Sequence, residues 1–107
     1  MSEAQATESP VLPEVWTELQ RVVERWRQLP FDRALSHAGS VRALVQALAE
    51  RVAQADGFPA SVIPDCGQAT LMDQLTVLVH DASAAAVTST RTSTLAEDLA
   101  SLRRELR

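Results

Sequence analysis

The chain has no Lys, no Asn and no Tyr, a single Ile, Ile63, and a single Cys, Cys66. All ten of its basic residues are Arg. The missing residues are those with AT-rich codons, so the coding DNA reads as GC-rich and the source as a high-GC bacterium. Arg in place of Lys is therefore a coding bias and not a device for recognising phosphate or carboxylate. One thiol cannot form an internal disulfide, and without a metal-ligand pattern it fits a reducing compartment, so a cytoplasmic location is expected. Excess basic charge is also lacking: the net charge of −4 leaves no general basic face to release counterions from a phosphate backbone, which disfavours nucleic acid as a partner. Aromatics make up only 4% of the chain and runs of β-branched residues are few, which argues against sheet. No apolar run approaches the roughly 20 residues that span a bilayer, and Met1 to Pro10 have neither a basic nor an apolar region, so neither a membrane span nor a signal peptide is expected.

Ala and Leu dominate what is present, and both favour helix. With 107 residues, one core is the working count. The reading is a disordered lead-in over residues 1–12 and a single helical domain over 13–107. Pro13 suits a first helical position, with Glu14 and Glu18 at the positive end of the dipole. Val15, Trp16, Leu19, Val22, Val23, Trp26 and Leu29 then make one apolar arc, ended by Pro30. Phe31 to Ala38 is read as a separate turn capped by Asp32 and stopped by Gly39. Ser40 is read as the N-cap of a second helix over Val41 to Ala55, with Gly57 as its C-terminal glycine. The apolar, Pro-containing segment Phe58 to Cys66 is expected to close one end of the bundle, with Phe58, Val62 and Ile63 plugging the core. A third helix is expected from Gln68 to Val87, a loop over Thr88 to Thr94, and a last helix from Leu95 to Leu106 capped by Thr94 and Glu97. The fold class is all-α: a small antiparallel bundle of three to four helices with a Pro-rich loop closing one end.

Residues that could carry chemistry are scattered. His80 and Asp73 fall on the outer face of the third helix, two turns apart, which is too far for an acid–base pair. His80 and Asp81 are consecutive and point about 100° apart, so they do not converge on a metal ion. Cys66 precedes a helix N-terminus, which can activate a thiol, but it is read as a small apolar residue packed under the loop. Asp32, Ser36 and His37 have the letters of a hydrolase triad without a nucleophile elbow. The connection between the second and third helices is too long for a helix-turn-helix. No catalytic, cofactor-binding or metal-ligating residue is assigned, and the chain is read as leaning away from an enzyme.

The remaining conspicuous side chains are Trp16 and Trp26, on opposite flanks of the first apolar arc, and the leucines at 95, 99, 102 and 106. These six form the candidate interface: Trp16, Trp26, Leu95, Leu99, Leu102 and Leu106. The function expected is a non-catalytic protein–protein interaction or accessory role, with a second copy of the chain as the partner in a homodimer. A small helical enzyme or ligand-binding domain with an interhelical pocket is the alternative, favoured if a buried Arg, at position 33, 42 or 51, faces a cavity. A transcription-linked regulator is the weaker one.

Overall fold

The computed structural model describes residues 11–59, 61–86 and 92–107. The described residues form four helices: α1 (Pro13–Gln28), α2 (Phe31–Asp56), α3 (Leu71–Ala86) and α4 (Thr92–Glu105), with a short 3-10 turn at Gln68–Thr70 leading into α3. The all-α bundle read from the sequence is present, and there is no strand among the described residues.

Helix α1 starts and stops where its prolines place it. Pro13 occupies its first turn, and Leu29 donates its amide to the Trp26 carbonyl as the chain turns extended before Pro30. Pro30 does not separate α1 from an isolated turn, as expected, but is itself the N-cap of a helix of 26 residues. Gly39 and Ser40 are interior residues of α2, Asp32 belongs to its first turn, and the expected break is absent. The physical reason is phase: Ala34, Ala38, Val41, Val45 and Leu48 are all buried and form one stripe across Gly39. A mid-helix glycine costs only about 1 kcal/mol, less than the burial of that stripe contributes. Gly57 ends α2 with φ of 76°, the left-handed conformation that glycine adopts without a steric cost.

The core draws on every helix, with Val15, Leu19 and Val22 from α1, Leu71, Leu75 and Val79 from α3, and Leu95, Leu99, Leu102 and Leu106 from the C-terminal segment. Val11 joins it, so the folded part begins before Pro13 and not after Leu12. Residues 1–10 of the expected lead-in lie outside the described residues. At the other boundary α4 begins at Thr92, which places Thr94 and Glu97 inside the helix and not in a capping box; Thr88 to Arg91 of the expected loop and Val87 of the expected third helix lie outside the described residues.

Polar contacts between distant helices fix their directions. Glu18 pairs with Arg103 at 2.8 Å, and further along both helices Arg25 donates to the Leu106 carbonyl at 3.5 Å, so α1 and α4 run in the same sense. Arg51 near the end of α2 pairs with Asp98 midway along α4 at 2.7 Å, while Arg33 and His37 near the start of α2 reach the Arg107 carbonyl beyond the end of α4, so α2 runs opposite to α4. The chain then doubles back along α2: Phe58 donates to the Ala53 carbonyl at 2.9 Å, Ile63 to Gln46 Oε1 at 2.8 Å, and Arg42 to Asp65 at 3.1 Å. Helix α3 therefore starts beside the middle of α2. Residues 87–91, at no more than about 3.5 Å per residue, can reach the start of α4 only if α3 runs in the same sense as α2. The Pro-containing segment is thus a return strap along the flank of α2. Ile63 packs on the core, but Phe58 and Val62, expected to plug it, are exposed, because a strap on a flank has one side facing solvent.

Candidate functional site

The helices hold the candidate chemical residues apart. His80, Asp73 and Asp81 are exposed on α3, and Asp32 and Ser36 are exposed on α2, where the Ser36 hydroxyl donates to the Arg33 carbonyl at 2.8 Å and not to His37. Cys66 is exposed, contrary to its reading as a packed residue; it sits between Asp65 and Gly67, where the Gly67 amide donates to the Asp65 carboxylate at 2.9 Å. No group of three or more His, Cys, Asp or Glu side chains able to hold a metal ion occurs among the described residues. No helix among them is long and apolar enough to cross a membrane.

The six side chains of the candidate interface divide. Leu95, Leu99, Leu102 and Leu106 are all buried, facing α1 and the rest of the core, so the leucine stripe is occupied within the chain. Trp26 is half-buried against the same core. Trp16 alone is on the surface, 49% exposed, at one end of a shallow depression on α1 lined also by Gln20, Arg21, Glu24, Gln28 and Arg103. Polar groups there satisfy one another, Arg21 pairing with Glu18 at 3.3 Å and the Gln28 amide donating to Glu24 at 3.2 Å.

A different surface is not singled out by sequence. Phe31 and Leu35 are 74% and 57% exposed, one turn apart on α2. The next position on that ridge is Gly39, also exposed, and a Cβ built on it meets nothing within 4 Å. Gly39 opens into a cleft of about 310 Å³ between α2 and the strap, lined by Arg42, Val45, Val62, Ile63, Pro64 and Gln74. Gln46 ties the strap down, its Oε1 accepting from the Ile63 amide and its Nε2 donating to the Ser61 carbonyl at 3.0 Å. Arg42 closes the far side: one Nη donates to Asp65, while its Nε is buried without an acceptor. Arg33 is exposed and Arg51 is paired with Asp98, so of the three arginines considered for a cavity it is Arg42 that lines one. A readable signal does exist, since Phe31, Leu35 and Gly39 recur at intervals of four, but it is hidden once Gly39 is taken as a helix stop.

The fold and this surface define an all-α bundle with a bulky apolar ridge running into a cleft. Compared with family models, curated proteins and solved structures, the chain matches none.

Proposed function

We propose that the chain is a non-catalytic interaction domain that works as a homodimer. The observation that supports this reading is the pair Phe31 and Leu35, two large apolar side chains held in water on successive turns of α2. Covering two adjacent apolar side chains of this size removes apolar area from water, which favours association through them. The pair lies at the end of the bundle remote from Trp16, in a stretch whose exposed neighbours are mostly small or polar.

Sedimentation equilibrium with a reducing agent, which keeps the exposed Cys66 from cross-linking copies, tests the reading. The expected species has twice the chain mass of 11.6 kDa, and Phe31→Glu with Leu35→Glu returns it to the monomer. Both positions are exposed, so the substitutions should leave the helical circular dichroism and the melting temperature nearly unchanged. A monomeric mass throughout, up to high micromolar concentration, would refute self-association.

A further inference from the structure

We propose that the second copy docks through α2 itself, antiparallel and centred on Leu35, with Phe31 of each copy seated in the cleft beside Gly39 of the other; this rests on the self-association proposed above. The ridge is self-complementary in a way that a random apolar patch is not. Phe31 and Gly39 are each four residues, about 6 Å of helix rise, from Leu35. A two-fold axis at Leu35 exchanges those two positions, so the largest side chain of the ridge meets the gap left by its missing one. The ridge follows the i, i+4 rows by which two helices most often interlock. It is unobstructed, since Phe31 is 74% exposed and space beside Gly39 is open.

The cleft supplies what a buried ring needs. Val62, itself 84% exposed, and Ile63 form an apolar wall on the strap side, and Val45 forms part of the floor. Arg42 borders the same space, so its guanidinium can lie against the face of the incoming ring, a favourable cation–π contact. Isologous packing of this kind closes on itself and produces a dimer, not a filament.

The register makes an unusual demand that can be tested in a Cys66→Ser background by sedimentation and by native mass spectrometry of mixtures. Phe31→Ala removes the ring from both sites of its own homodimer, and Gly39→Phe fills both clefts. Each variant alone should dimerise at least about thirtyfold more weakly than the parent, as expected for loss of a central aromatic anchor. Mixed in equal amounts, the two should form a heterodimer at least about tenfold tighter than either homodimer. At one of its two sites the truncated position of the Phe31→Ala copy faces the filled cleft of the Gly39→Phe copy, and at the other the native Phe31 ring meets the open cleft beside Gly39. A variant that had merely unfolded could not produce that rescue. If the parent dimerises but the single variants match it, or the mixture is no tighter than they are, the dimer uses another surface and this docking is wrong. If the parent is monomeric, or copurifies as a monomer with a small molecule in the cleft, both the self-association and the docking fail.

Discussion

Replacing Gly39 by Ala should stabilise the monomer. Gly39 is interior to α2, its φ is not positive, and a Cβ at this position meets nothing within 4 Å. The substitution therefore adds no clash and no packing, and its effect reduces to backbone entropy and helix propensity, about 0.5–1 kcal/mol in favour of the folded state. For a domain of this size that corresponds to a rise in melting temperature of roughly 4 °C. Thermal and urea unfolding followed by circular dichroism would measure it, in the Phe31→Ala background so that association does not contribute. In the otherwise unaltered chain the same methyl intrudes on the notch, so dimerisation should weaken while the monomer gains stability. An unchanged or lower melting temperature in the monomeric background would refute the reasoning, since it would mean that the backbone at residue 39 needs glycine for itself.

Ser83 is buried with its hydroxyl lacking a hydrogen-bond partner, so Ser83→Ala should raise stability by about 1 kcal/mol, seen as a higher urea midpoint with unchanged slope. Leu99 is fully buried in the core, and Leu99→Ala should cost about 2–5 kcal/mol, a large share of the total stability of such a domain. Gly57→Ala places a side chain at φ of 76° and should cost about 1 kcal/mol, measured in the same unfolding experiment. Gln46→Ala removes the two hydrogen bonds that Gln46 makes to the strap and leaves the half-buried Ile63 amide unsatisfied, a loss of about 1–3 kcal/mol. The Ile63 amide should then exchange with solvent much faster than in the parent, which hydrogen exchange would detect.

Local rules carry the sequence a long way where one residue type decides the outcome. Pro13 opens α1, Gly57 closes α2, and the leucines at 95, 99, 102 and 106 are buried as a stripe of that period should be. The errors come from positions where a local preference opposes a longer-range one. At Gly39 the break preference loses to the continuous stripe from Ala34 to Leu48. At Phe58 and Val62 apolar character suggests burial, but the pinning of the strap by Gln46 and Arg42 on one side of α2 leaves those two residues facing out. The leucine stripe is legible as apolar and ambiguous as to partner, since only the tertiary pairing of α1 with α4 can say that this chain covers it itself. Phe31 and Leu35 disappear as a surface feature once they are assigned to a separate turn, which has no ridge to continue.

The strap explains why the cleft exists at all. Consecutive helices joined by a tight turn run in opposite senses and pack side by side, leaving little space between them. Here α2 and α3 run in the same sense, so the chain must first retrace α2 from near Ala53 to near Arg42, about 17 Å of helix rise. An extended segment on a helix flank has no neighbouring strand to meet its backbone groups. Pro59 and Pro64 reduce the number of amides needing partners, and Gln46 supplies both a donor and an acceptor for part of what remains. Because the strap lies on one flank only and turns away at Asp65, it shields the second half of that flank and leaves the first half bare. The cleft is the step where covered helix gives way to uncovered helix, and Gly39 deepens it by omitting a side chain there. Phe31 and Leu35 lie on the bare half, two turns and one turn before that step, which is why an apolar ridge and an apolar recess come to share a single helix.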